Sequence, residues 1–343
     1  MKKNEDIEIE SLLRIKEEPC VYINELQAHK TLITGCEEFM ELLLNFYRTW
    51  ANVGVDIDLP KKQVYAKQGI KGDLRLMPCF MHDEKLKFVK VVGTNEEERT
   101  IKDKICVGKS FLVDYFDNYI YAIFDACVLS SFRTAAISAL AFCLSTSSLS
   151  KIGLVGTGRI GFYTAYILYR WLGFCSFMVM DANEHHRMDF EALCRHYMPE
   201  SEIHVREMDE VISTSEALFL STTSTDPLLS AVNAKSLRFI SSVGADADNL
   251  SELDSSLLAT HRLLTDSMDS CCLGDMKRWI NENMLSRSEV TDLRTVAGEE
   301  AFEHPRNMFV STGIAVQDLF VCRFVYEKLY AKGGKAHIVS SGS

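Results

Sequence analysis

The chain has no stretch approaching about 18 uninterrupted apolar residues, the least a membrane-spanning helix requires, so no bilayer partner is expected. Its first ten residues are charged and acidic, unlike the basic segment leading into an apolar run that marks a secretory signal. No basic stripe is present. Lys and Arg number 37 against 48 Asp and Glu, a formal net charge of −11, and a phosphate backbone would be repelled, so no nucleic-acid partner is expected. There is no CxxC among the eleven cysteines, and the adjacent Cys271 and Cys272 have no His ligand pattern nearby, so no metal is expected. The thiols read as free, buried small hydrophobes in a reducing, cytoplasmic setting. Fixed-period repeats and low-complexity tracts are missing too, which excludes solenoids and propellers.

What is there is an ordinary globular composition, 47% hydrophobic and 25% charged over 343 residues, long enough for two domains with their own cores. Residues 37–50 carry apolar positions at helical spacing. Three extended runs follow, 71–78, 86–92 and 105–114, with charged turns and no helix between them, the pattern of an antiparallel or mixed sheet. Residues 130–144 turn helical, rich in alanine, until the Ser/Thr-rich stretch 145–150 breaks them. Strand and helix then alternate: 151–155 strand, 162–172 helix, 177–180 strand, with later strands at 217–221 and 239–243. Alternation predicts a parallel sheet covered on both faces. A last helix over about 315–331, apolar on one face through Val316, Leu319, Phe320 and Phe324, is expected to pack back on the first domain. From Lys332 a Gly/Ser-rich tail is expected to be flexible.

The turn after the first strand of the alternating block is Gly156-Thr157-Gly158-Arg159-Ile160-Gly161. Glycines at this spacing occur by chance, but here a strand runs directly into the motif and an apolar helix starts directly after it, the context a dinucleotide requires. Gly156 permits the tight turn, Gly158 lets backbone approach a pyrophosphate, and Gly161 lets helix and strand pack closely. The helix N-terminus offers free N–H groups to the phosphates. Asp181 lies 20 residues beyond Gly161, at the end of the next strand. A carboxylate there accepts bonds from ribose hydroxyls and repels a 2′-phosphate, so NAD (NADH) is expected rather than NADP, with His185, His186 and Arg187 nearby as a basic cluster able to accommodate the phosphate. The fold class expected is α/β: a Rossmann-type doubly wound parallel sheet over residues 130–310, plus a discontinuous α+β substrate domain from 1–129 and 311–331.

With these residues in view, the chain resembles the ornithine cyclodeaminase/mu-crystallin family over roughly residues 60–329. The most specific segment is Phe132-Arg133-Thr134-Ala135-Ala136-Ile137-Ser138-Ala139-Leu140-Ala141. Leu76-Met77-Pro78, Phe88-Val89-Lys90-Val91-Val92, Val243-Gly244-Ala245-Asp246 and the run from Ser311 through Gln317-Asp318-Leu319 fall in the family's order. The resemblance implies that Lys90 contacts the substrate's carboxylate or carbonyl region. It implies that Arg133, with Thr134 alongside, bridges substrate carboxylate and cofactor pyrophosphate. Arg159 and Ile160 would sit in the phosphate turn, Thr222 near the nicotinamide ribose, and Val243 and Gly244 along the nicotinamide. Asp246 would be the acid/base. Ser311 would touch the nicotinamide end, although its local pattern equally suits a helix N-cap. A homodimer formed through the non-Rossmann domain is implied as well. Taken singly, Arg133 reads as a helix-surface charge, Lys90 as a solvated strand residue and Asp246 as a loop carboxylate; the surrounding motifs assign them otherwise.

The chemistry fits these roles. A guanidinium binds a carboxylate through two parallel hydrogen bonds and stays charged at any reasonable pH. Hydride transfer leaves a cationic iminium, which a neighbouring carboxylate stabilises while taking up a proton. The chain also departs from the family. Where members carry an arginine after a proline to hold the substrate carboxylate, Pro60 is followed by Lys61 and Lys62, with Arg75 a further source of positive charge. Leu250 stands where cyclodeaminases place a lysine four residues after the acid/base. The activity expected is that of an NAD(H)-dependent oxidoreductase acting on the C–N bond of a small amino acid or its imine, with hydride transfer at the α-carbon. The alternatives are redox-neutral, ammonia-releasing cyclodeamination of the ornithine type, and a mu-crystallin-like NAD(P)H-dependent ligand carrier, against which Asp246 argues.

Overall fold

The computed structural model describes residues 11–14, 16, 18–66, 72–94, 106–145, 149–299 and 304–330. The expected tail from Lys332, the acidic first ten residues, the start of the run at 71, the start of that at 105 and part of the 145–150 break lie outside these. The first unit contains β1 (Val21–Ile23), α1 (Glu25–Thr34), α2 (Cys36–Asn52), β2 (Ile57–Asp58), β3 (Gln63–Tyr65), β4 (Asp73–Met81), β5 (Leu86–Thr94), β6 (Cys106–Val113) and β7 (Ile120–Asp125). Its strands form one sheet in the order β1-β7-β6-β5-β4-β2, with β3 also on β4. β1 runs parallel to β7 and the other pairs are antiparallel, so the sheet is mixed. Alternation along β4 and β5 turns Arg75, Met77, Lys90 and Val92 to the buried face, and the register sets Arg75 opposite Val92 and Met77 opposite Lys90. The strand expected to stop at Pro78 continues to Met81. Pro78 falls between the stretches of β4 paired by β3 and by β2, so its missing N–H removes no bond on that edge.

The second unit follows α3 (Ala126–Ser145). It comprises β8 (Ile152–Val155), α4 (Arg159–Leu172), β9 (Ser176–Met180), α5 (Glu184–Tyr197), β10 (Glu202–Val205), α6 (Met208–Thr214), β11 (Ala217–Leu220), β12 (Phe239–Ser242), β13 (Arg262–Thr265), α7 (Gly274–Asn281), β14 (Thr291–Asp292), α8 (Leu293–Gly298) and β15 (Asn307–Val310). All eight strands are parallel, in the order β10-β9-β8-β11-β12-β15-β13-β14. β10 through β12 follow the doubly wound Rossmann order, with β15 inserted before β13, and the direction reverses between β8 and β11, where such sheets bind ligands at their carboxyl ends. A final helix, α9 (Ala315–Tyr330), leaves this sheet and lies against β4, β5 and β6.

α3 sits between the two units and is apolar nearly all round, as a fully enclosed helix should be. By length and composition it would suffice to cross a membrane, but 83% of that stretch is buried within the protein. It begins at Ala126, one turn before the expected Ser130. The serines there do not cap a helix: Ser131 Oγ donates back to the Cys127 carbonyl at 3.0 Å, and Ser138 and Ser145 do likewise one turn up from their own acceptors. All eleven cysteines are free. Cys36, Cys79, Cys127, Cys194, Cys271 and Cys322 are buried as expected, whereas Cys20, Cys175 and Cys272 are exposed.

Candidate active site

β8 ends at Val155 and the glycine turn follows at the switch point. Gly156 has φ +95°, a left-handed conformation costly for any other residue, and a Cβ there would stand 2.5 Å from the Ser221 carbonyl oxygen. At Gly161 a Cβ would meet the Gly156 carbonyl oxygen at 2.1 Å, so the close approach of turn and helix depends on its absence. Gly158 has nothing within 4 Å of its missing Cβ, and as N-cap of α4 it leaves the helix's first N–H groups without a side-chain acceptor. The result is an open cradle with unsatisfied donors and positive helix potential, which fits an anion such as a pyrophosphate. Asp181 Oδ2 accepts from the Thr157 backbone N–H at 2.7 Å, and its Oδ1 from the Asn183 N–H at 2.9 Å. Asp181 therefore braces the turn from behind. Arg187 donates to the Asp181 main-chain carbonyl at 2.5 Å.

Facing this cradle is a charged cluster drawn from five segments. Arg75 on β4 donates to Asp246 Oδ2 at 2.6 Å and to Asp73 through Nε at 2.9 Å. Asp246, in the loop after β12, is 37% exposed at its side chain and turned toward the cavity. Lys90 on β5 is 1% exposed and donates to Asp318 Oδ1 at 2.8 Å, with Ser130 Oγ as a second partner. Arg133 on α3 is 9% exposed; its Nε reaches the same Asp318 oxygen at 3.3 Å and its Nη1 reaches Gln317 Oε1, also at 3.3 Å. Lys62, just before β3, donates to the Thr312 carbonyl at 2.6 Å and is the one cation of the four with no carboxylate partner among the described residues. Burial pulls its ammonium down to a pKa of about 8, with Asp246 opposing the shift and Arg75 and Arg133 adding to it. A cluster with one cation in excess is built to receive an anion.

These groups open on one cavity of about 240 Å³. Among the residues expected from sequence, Lys62, Arg75, Lys90, Arg133, Thr134, Gly158, Arg159, Ile160, Thr222, Val243, Gly244, Asp246 and Ser311 line it. Gly156, Gly161 and Asp181 shape the turn from inside and do not line the cavity. Lys61 is exposed and lines only a neighbouring cavity, which Lys62 also borders. Ser311 is no helix cap: α9 starts at Ala315, and Ser311 Oγ donates to Asp266 Oδ2 at 2.6 Å while accepting from the Gly313 N–H.

Three buried carboxylates at the base of the site went unassigned in the sequence. Asp318 joins Lys90 to Arg133; burial alone would raise its pKa, but those two cations outweigh it and hold the carboxyl below its usual value. Glu252 accepts from the Thr222 N–H at 2.7 Å, Ser242 Oγ at 2.6 Å and the Gly244 N–H at 3.0 Å, which locks together the loops leaving β11 and β12. Asp266 takes Ser311 and Gln317, the latter at 2.8 Å, and Gln317 in turn reaches Arg133. Asp318 and Gln317 sit inside the motif quoted above, which is the one signal that pointed to them.

A phosphate cradle at the switch point of a doubly wound sheet, facing a carboxylate and a cluster of cations, defines a Rossmann-type protein whose ligand site lies between two units. More particularly, the chain belongs to the ornithine cyclodeaminase/mu-crystallin family, whose sequence pattern matches residues 26–333. It is 23% identical over 267 residues to the Delta(1)-pyrroline-2-carboxylate reductase of Bacillus cereus, an alignment covering 75% of this chain and 82% of that protein. Among solved structures, Delta(1)-pyrroline-2-carboxylate reductase of Thermococcus litoralis in complex with NADH and L-proline superposes with a TM-score of 0.81 at 22% identity, covering 91% of this chain and 98% of that one. An archaeal alanine dehydrogenase dimer with bound NAD gives 0.79 at 20% identity, covering 91% and 97%. These likenesses agree on the fold.

Proposed function

We propose that the chain is an NAD(H)-dependent oxidoreductase that acts on the C–N bond of a small amino acid or its imine, with hydride transfer at the α-carbon. The observation that carries this reading is that Gly158, at the head of α4, and Asp246 line the same cavity. A bound dinucleotide would supply the hydride in imine reduction and take it back in amine oxidation. In the reducing direction the imine carbon gains the hydride and the nitrogen a proton, leaving an amine and the oxidised cofactor. Asp246 holds that proton next to the nitrogen, and its negative charge stabilises the iminium form. Arg75 fixes the carboxylate's orientation. Lys62 and Arg133 hold the substrate carboxylate, so that the reacting carbon faces the cradle, an alignment worth at best roughly 7–11 kcal/mol. Asp181 supports NAD(H) over NADP(H), with its carboxylate at the turn and Arg187 engaged by main chain. Leu250, buried in the cavity wall, supports net redox chemistry over cyclodeamination.

The test is direct. Asp246→Asn should lower kcat for imine reduction by about 100-fold or more while the NADH dissociation constant stays nearly unchanged. An unaltered turnover rate removes Asp246 from its role, and tighter binding of NADPH than NADH removes Asp181 from its own. The reading extends to a homodimer: the face of the first sheet turned away from the site leaves Leu76, Phe80, Val89, Val91, Phe111 and Ile123 only half-buried, and the archaeal relative is a dimer. Sedimentation as a monomer at micromolar concentration would count against it. Free thiols throughout support a cytoplasmic setting.

A further inference from the structure

A second cavity, of about 340 Å³, adjoins the first and shares Lys62, Met77, Thr312 and Gly313 with it. Its character is different. Leu59, Pro60, Val64, Leu273 and Ile314 give it an apolar side, Lys61, Ser267, Asp269 and Ser270 a polar one, and the Asp248–Lys277 ion pair sits at an exposed rim. The first cavity adds Arg75, Lys90, Arg133 and Asp246 to the shared Lys62, beside Val92 and Leu250, and has to take the reacting carbon, its carboxylate and the ring that exchanges hydride with it. Hydrocarbon pressed against those charges would strip them of solvation without compensation. At about 240 Å³ the first cavity also falls below the roughly 300–1,000 Å³ usual for ligand sites. Met77 and Gly313 border both cavities, and an apolar substituent on the substrate would cross from one to the other beside them. Met77 is unbranched and adapts its shape, and Gly313 has no side chain to obstruct it.

We propose that the second cavity is a subsite for an apolar arm of several carbons, carried on the imine's carbon or its nitrogen, and that the preferred substrates bear such an arm. This rests on the oxidoreductase reading and narrows its substrate class. The subsite discriminates by burying methylenes against Val64 and Leu273, each methylene being worth roughly tenfold or more in kcat/KM.

The experiment uses the full chain with NADH and imines formed in solution from three mixtures: pyruvate with methylamine, 4-methyl-2-oxopentanoate with methylamine, and pyruvate with isopentylamine. One of the two long-armed imines should exceed the short one by at least about 1,000-fold in kcat/KM, and which one does so places the arm on carbon or on nitrogen. Val64→Trp and Leu273→Trp, which fill the subsite from two sides, should each erase most of that preference while the short imine keeps its rate within about twofold. A wild-type enzyme that reduces the short imine as well as both long ones overturns the subsite and leaves the oxidoreductase reading standing. Variants that slow all three imines alike overturn it too. Reduction of none of the three removes the oxidoreductase reading, and the subsite with it.

Discussion

A lysine at position 62, in place of a permanently charged arginine, has a consequence in pH. Lys62 is half-buried where two cavities meet, donates to the Thr312 carbonyl, and its ammonium is brought down by desolvation to a pKa of about 8. In the proposed role it captures a carboxylate only when protonated, so capture should be intact below pH 8 and lost as pH rises through that value. Between pH 7 and pH 9 the protonated fraction of such a group falls from about nine-tenths to about one-tenth, and kcat/KM for imine reduction should fall about tenfold. Most of the loss should appear in KM, because the charge acts on the bound carboxylate rather than on hydride transfer. Lys62→Arg restores a guanidinium that stays charged, and should flatten the alkaline limb up to about pH 10. The assay is NADH oxidation at 340 nm across pH 6–10 at constant ionic strength, wild type against variant with the same imine, so that the substrate's own titration divides out. An alkaline limb of equal position and depth in both proteins would refute the reasoning.

Asp318→Asn leaves Lys90 and Arg133 buried without their shared counter-charge and should cost about 3–5 kcal/mol in denaturant unfolding; a loss under about 1 kcal/mol would show that water reaches the pair. Because the Asp318 carboxyl is held below its usual pKa, its stabilising effect is present above the ordinary carboxylate range and disappears as pH falls through the lowered value. The Asn variant should therefore show a shallower decline of stability on acidification. Gly161→Ala would drive a Cβ into the Gly156 carbonyl oxygen, and titration of NADH fluorescence should show at least about tenfold weaker binding with little change in imine KM.

The local features of the site were legible in the sequence; the long-range contacts were not. The glycine turn could be read because strand, turn and helix are contiguous and each glycine answers a local steric demand. Lys90 and Arg133, read singly, looked like solvated charges, yet both are enclosed. The carboxylate that makes this tolerable is Asp318, more than 180 residues from Arg133. Arg75 reaches Asp246 across 171 residues, and no spacing rule links them. Whether Lys61 or Lys62 entered the site was undecidable until the direction of β3 was known. Glu252 and Asp266 had no signal at all, since a buried acid satisfied by backbone N–H groups and hydroxyls looks in sequence like any surface acid. The helix read from residue 130 begins a turn earlier, at Ala126, where Ser131 Oγ bonds back to the Cys127 carbonyl.

The last described helix contributes Gln317 and Asp318, the hinge-pins on which Arg133 and Lys90 hang, although the sheet carrying Lys90 is laid down more than two hundred residues earlier. β15, the strand inserted between β12 and β13, is itself made only at residues 307–310, so the nucleotide sheet and the substrate chamber are completed almost together as the chain is synthesised. Synthesis halted before α9 would leave Lys90 and Arg133 without the carboxylate they share.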